Sequence, residues 1–271
     1  MLGRDPILDI DFNALYRKQC QRSSFGRRTR TDWDQRAAPR SRHEKGSDYA
    51  RKFMARLDLT DVDAILDIGC GSGNLALPLA RRVRRVYALD FSPEMLRLLR
   101  AQARAEGVRN ITTHRRAWTD DWSGIPRADI AICSRAMAVA DLQAALAKMT
   151  AHARKRCYLT LHAGHSFLSA DVYRVLRRPV TPRPNYIYAV NILYQMGYHA
   201  RVDFLHTTGG LAYDSVGEFI DGIRWRLGRL APAEEKRLRT YYQALPRGAD
   251  GRTVYRHDFE WALLSWEKAP R

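Results

Sequence analysis

From about residue 47 the chain alternates short apolar runs with longer stretches in which apolar residues recur at helical spacing. Tyr49, Phe53, Met54 and Leu57 predict a helix over Ser47 to Leu59 with one buried face. Ile65, Leu66 and Ile68 form a run suited to a parallel strand covered on both sides. A helix follows over Asn74 to Arg82, with Pro78 close enough to its start to be tolerated, and then a strand over Val86 to Leu89. Ser92 as N-cap, Pro93 at the first helical position and Gly107 as a stop bound the next helix, which buries Met95, Leu96, Leu99 and Ala103. Strands are predicted at Asn110 to Arg115, Ala128 to Ser134 and Cys157 to His162, with an amphipathic helix over Asp141 to Ala153. Such strand–helix alternation builds a parallel sheet with helices on both faces.

The two ends depart from this rhythm. Ile7 to Arg22 reads as a short helix with Ile10, Phe12 and Leu15 on one face, and the stretch from Arg17 to Arg42 reads as a solvated basic arm. After the fifth strand, Ser166 to Arg178 looks helical, three prolines interrupt at Pro179 to Pro184, and Asn185 to Met196 is a largely apolar helix. A sixth strand over Ala200 to His206 and a seventh over Phe259 to Trp266 enclose an insert of about residues 208–253 with helices at Ser215 to Leu227 and Pro232 to Leu245. The aromatics gathered in this half, the tyrosines and Trp225, either pack the added helices or line an acceptor pocket.

Chemistry enters with the loop after the first strand. Asp67, Gly69, Gly71 and Gly73 read D-x-G-x-G-x-G, and a dinucleotide fingerprint is excluded because Asn74 stands where its third glycine is needed. Glycines here permit a sharp turn and close approach of backbone to a ligand, and Asp90 ends the second strand where a carboxylate can accept from ribose hydroxyls. This pattern is similar to motif I of the class I S-adenosylmethionine-dependent methyltransferases, and the similarity extends from about Asp58 to His162. It implies a Rossmann-like, seven-stranded, mostly parallel sheet with an antiparallel last strand, and S-adenosyl-L-methionine as cofactor with S-adenosyl-L-homocysteine as product. It also implies that Asp67 serves the methionine ammonium through the loop of Gly69, Cys70, Gly71, Gly73 and Asn74, with Asp90 on the ribose and Phe91 or Met95 by the adenine.

The family commonly places an acid after the third strand to accept from the adenine amine. Arg116 stands there and cannot accept. Ala117 and Trp118 are therefore expected beside the ring, with Asp120 or Asp121 in the polar role and Ser134 as a further contact; Trp118 and Trp122 could equally be core. Trp33-Asp34-Gln35-Arg36-Ala37 resembles the W-D-x-R-A entry of some small-molecule methyltransferases, whose N-terminal segment forms a lid, so Trp33 and Arg36 are candidate lid residues. The N-P-P-Y motif of exocyclic-amine methyltransferases is replaced by Ser134-Arg135-Ala136-Met137, and Arg135 would suit an anionic acceptor. A thiol or amine acceptor needs little acid–base help, whereas a hydroxyl needs a base, for which His162, His165 and Asp141 are candidates.

Composition changes this picture only in its partners. The 271 residues carry a net charge of +17, with nine basic residues against two acids from Arg17 to Arg42, which favours polyanions and makes RNA the alternative acceptor. Cys20, Cys70, Cys133 and Cys157 lack paired spacing and are read as reduced packing residues, not zinc ligands. The acids in MLGRDPILDIDF argue against a secretory signal, and no apolar run reaches a membrane span, so a cytoplasmic location is expected. The expectation is a basic extension or lid over residues 1–46, then a methyltransferase domain over 47–271. It would be an enzyme acting on a small molecule, with a homodimer considered; the third reading is a non-catalytic S-adenosylmethionine-binding protein.

Overall fold

The computed structural model describes residues 5–26, 28–40, 48–164 and 168–268. After a 3-10 turn at Pro6–Asp9 come α1 (Phe12–Arg22), α2 (Arg30–Arg40) and α3 (Asp48–Met54). The sheet then begins with β1 (Ala64–Ile68), α4 (Ala76–Ala80), β2 (Arg85–Asp90), α5 (Pro93–Ala105), β3 (Ile111–Arg115) and β4 (Ala128–Ser134). It continues with α6 (Leu142–His152), β5 (Ala153–His162), α7 (Ala170–Leu176), α8 (Tyr186–Gln195), β6 (Arg201–Tyr213), α9 (Val216–Leu227), α10 (Pro232–Gln243) and β7 (Thr253–Glu267).

The strand order is β3-β2-β1-β4-β5-β7-β6. β1 to β5 pair in parallel, and β7 runs antiparallel between β5 and β6, as expected. Every β1 residue is buried because successive side chains enter opposite cores. Leu66 and Ile68 pack with α6, α8 and Tyr16 of α1, while Ile65 packs with α3, α4 and α5. β1 lies between β2 and β4, so the chain order reverses there and leaves a crevice at the carboxyl ends of these strands.

The ends of the chain correct several expectations. Ile10 and Leu15 are exposed; α1 instead buries Tyr16, whose hydroxyl donates to the Val139 carbonyl at 3.0 Å, and Asn13, whose Nδ2 donates to Asp141. The basic arm contains α2 and the C-terminal half of α1 rather than being irregular throughout. β6 and β7 stay paired as far as Tyr213 and Thr253, well past Trp261, where the pairing of β7 with β5 stops. The free half of this hairpin supports α7, α9 and α10 around a third core centred on Phe219, into which Tyr213 and Tyr255 pack. Those two tyrosines are therefore packing residues.

Candidate active site

Three backbone conformations shape the loop after β1, since Gly69, Gly71 and Gly73 have φ of 71°, 54° and 98°. They serve different ends. A Cβ on Gly69 would lie 2.2 Å from Ala136 Cβ, and one on Gly73 would lie 2.4 Å from Leu99, so these two glycines allow the loop to close on β4's end and on α5. Only at Gly71 would a Cβ meet open space, so of the three it is where a ligand can reach the backbone. Cys70 is buried, and burial pushes its thiol well above the usual range.

Asp67 is 2% exposed on the face of β1 that meets α4. Burial first, and then the neighbouring Asp90, push its carboxyl up to about 7, partly offset by the Ala76 N–H that it accepts. Among the described residues its Oδ2 has no hydrogen-bond partner, and neither has the buried Nδ2 of Asn74 at the far side of the loop. An unpaired acceptor and an unpaired donor match the ammonium and carboxylate of an amino-acid group, so these residues fit the methionine end of S-adenosylmethionine. Asp90 closes the other side: Oδ2 accepts from Gly71 N at 2.8 Å and Oδ1 from Ser92 N at 2.9 Å. Burial raises its pKa against these bonds, and each oxygen keeps a lone pair for a ribose hydroxyl.

Around Asp90, Met95 is buried and Phe91 half-buried. Ser92 caps α5 through Met95 N, and its hydroxyl donates to Asp34 Oδ1 at 2.5 Å. Asp34 belongs to α2, whose Trp33 meets Trp225 of α9 edge-on at 5.6 Å. Arg28 lies over the same Trp225 ring at 4.7 Å, so α2 spans from the cofactor loops to the insert. Arg36 lies in α2, with its side chain outside the described residues. Ala117 N–H donates to Asp120, while the half-buried Trp118 donates its indole N–H to the Ala136 carbonyl at 3.2 Å. Trp122 is core, and Asp121 is occupied with Ser123.

At the ends of β4 and β5, Tyr49 binds Ser134 Oγ and Thr160 Oγ1 through its hydroxyl, both at 2.7 Å. Arg135 adopts φ 58°, donates its N–H to Thr160 and lays its guanidinium 4.3 Å from the Tyr49 ring centroid. It is exposed and forms no salt bridge with a described residue. Of the candidate bases, Asp141 is instead the N-cap of α6, accepting from Ala144 N and Asn13; a carboxylate so engaged is a structural cap. His162 Nδ1 lies 2.6 Å from the Gly164 carbonyl, and His165 is outside the described residues. Sequence reasoning missed Tyr49 and Thr160, which read as packing, and left Trp225 between packing and a pocket lining; Asp34 lay within the motif already singled out.

The family profile for a methyltransferase domain matches residues 65–156. An uncharacterized protein of Haemophilus influenzae is 32% identical over 263 residues, covering 96% of this chain and 97% of its own. Among solved structures, a proposed methyltransferase of Bacillus halodurans C-125 superposes with a TM-score of 0.58 at 16% identity, covering 82% of this chain and 99% of that one. Coclaurine N-methyltransferase, bound to N-methylheliamine and S-adenosylhomocysteine, gives 0.53 at 13% identity, covering 99% and 90%. The chain belongs to the class I S-adenosylmethionine-dependent methyltransferases. Within them, the Haemophilus influenzae protein is a relative along nearly its whole length. Among the described residues no helix is long and apolar enough to cross a membrane.

Proposed function

We propose that the acceptor is a small molecule bearing an anionic group, held at the ends of β4 and β5 with Arg135 as its counter-ion. The observation that carries this reading is the placement of that guanidinium. It rests on Tyr49, lacks a carboxylate partner among the described residues, and neighbours Ala136, which abuts Gly69 of the cofactor loop. A guanidinium presents planar donors that match a carboxylate or phosphate. On the same reading Asp67 takes the methionine ammonium, Asn74 its carboxylate and Asp90 the ribose. Gly71 gives backbone approach between Gly69 and Gly73, Cys70 and Ser134 back the loop, and Phe91, Met95, Ala117 and Trp118 enclose the adenine. α2, with Trp33 and Arg36, is the lid, and residues 47–271 are the catalytic domain.

The cofactor supplies a methyl already activated on a sulfonium. The task left to the chain is to hold the acceptor atom in line with the bond that breaks. Tyr49 contributes by position: burial raises its phenol pKa, so it stays neutral and ties Ser134 to Thr160.

Two outcomes test this. Release of S-adenosylhomocysteine should depend on the anionic fraction of a metabolite extract. Arg135→Ala should raise the acceptor KM by about 10- to 100-fold, the worth of one charged hydrogen-bonded pair, with cofactor affinity unchanged. Turnover only with neutral metabolites or with RNA would overturn the reading.

The cofactor role of Asp67 predicts a pH dependence. Its carboxyl titrates near 7, so below that pH the free protein holds it neutral and must release a proton to pair with an ammonium. Affinity for S-adenosylmethionine should fall towards tenfold per pH unit below about pH 7 and level off above it. Calorimetry in buffers of different ionisation enthalpy should register the released proton at low pH only; an affinity flat across this range would sink the pairing. Stability without cofactor runs in the opposite sense, because the folded pKa lies above the ordinary 3.8. The group's contribution is fully present below that value and lost as pH rises through about 7.

A further inference from the structure

We propose that the flank formed by β3, the outer face of α5 and the loop between α4 and β2 is a docking surface for the phosphodiester backbone of a nucleic acid. Residues 81–116 contain ten arginines, no lysine and three acids, so 36 residues hold seven of the seventeen net charges. The acids are already engaged: Asp90 is buried, Glu94 pairs with Arg97 at 2.7 Å and Glu106 with Arg81 at 2.8 Å. All ten arginines are exposed, and the other eight form no salt bridge with a described residue.

The fold gathers them. β3 is an edge strand of the sheet. At its start Asn110 Nδ2 donates to the carbonyls of Ala80, Val83 and Arg84 at 2.7, 3.0 and 3.3 Å, which ties the loop carrying Arg82 and Arg84, and Arg85 at the start of β2, beside Arg109. Further along, Arg100 donates to Thr113 at 3.1 Å. That bond lays the stripe of Arg97, Arg100 and Arg104, spaced i, i+3, i+7, along the strand. From Arg109 to Arg115 the edge runs about 20 Å, roughly six base-pair rises. α2, from the basic N-terminal stretch, packs against α5, with Asp34 on the Ser92 cap.

Chemistry favours nucleic acid over a lipid surface. The exposed large apolar residues, from Leu8 and Ile10 to Phe204 and Leu211, all lie outside this stretch, which leaves nothing to insert into a bilayer. Guanidinium groups in a row match phosphate oxygens bidentately, and crowded like charges repel until a polyanion neutralises them. The surface leads away from the carboxyl ends of the strands where the cofactor loop lies. Arg82, Arg84, Arg104 and Arg109 lie toward the amino ends of β2 and β3, so this inference goes beyond the small-molecule reading and does not depend on it.

Fluorescence anisotropy of the full chain with labelled single-stranded RNA and duplex DNA of about 20 units, between about 50 and 200 mM salt, tests it. The triple variant Arg84→Glu, Arg104→Glu, Arg109→Glu should weaken binding by at least about tenfold and lower the log–log salt slope for single strands by about 2. The neutral Gln triple should have the same sense with a smaller size. A charge-matched control, Arg201→Glu, Arg229→Glu, Arg239→Glu, should stay within about threefold, and acceptor-dependent product release should be unchanged in the flank variants. Equal losses in both triples, no binding at low salt, or a loss seen only with phosphatidylserine vesicles would each overturn the proposal. This assay needs no methyl acceptor, so its outcome is separable from that of the acceptor test.

Discussion

Gly69→Ala is expected to cost the fold about 2–5 kcal/mol, while Gly71→Ala costs about 1 kcal/mol and instead removes cofactor binding. At both positions φ is positive, so each alanine carries the left-handed penalty. The difference is what the new methyl meets. At Gly69 it would lie 2.2 Å from Ala136 Cβ, and the β4 end would have to move, taking Arg135 with it. At Gly71 it would meet nothing in the protein. Thermal melts should therefore separate the two by roughly 10 °C for a chain of this size, and calorimetry with S-adenosylmethionine should separate them in the opposite sense. Ala136→Gly should restore most of the stability lost in Gly69→Ala, because it removes the atom that collides. Equal melting temperatures for the two single variants would mean that the loop does not close on β4 as described.

Asp90→Ala is expected to reduce S-adenosylmethionine affinity by at least about 100-fold, the loss of two hydrogen bonds to a charged acceptor. Two effects on the fold oppose one another. Removing the carboxylate leaves the N–H groups of Gly71 and Ser92 unpaired, at about 1–3 kcal/mol each. It also removes a buried charge that raises the pKa of Asp67. The first should win, because two backbone donors in a tight loop lose their partners at once, and the melting temperature should fall by roughly 5–10 °C. Asp90→Asn retains one acceptor and should fall between the two in both readouts. In either variant the carboxyl of Asp67 should titrate lower than about 7, so the pH at which cofactor affinity levels off should move down. Unchanged heats with the alanine variant would remove Asp90 from the site.

The residues that carried most of the reading are close in sequence. Ser92 and Pro93 announce α5, and both keep their capping places. Asp67 through Asp90 spans strand, turn, helix and strand, each formed by interactions within or between neighbouring segments, so spacing alone was informative. The failures have one cause. Asp141 was a candidate base, whereas it caps α6 through Ala144 N and also accepts from Asn13, 128 residues away. The sixth strand was expected to stop at His206, whereas pairing with β7 carries β6 on to Tyr213.

The amino-acid order by itself determined the strand–loop–strand unit, the cofactor class and the kinds of side chain available to it, because local propensity and backbone sterics act over a few residues. Which glycine faces the ligand, why Arg135 stands over Tyr49 and how α2 reaches the insert depend on Ala136, Thr160 and Trp225. These contacts join segments far apart in the chain, and only burial of the shared cores brings them within reach of one another.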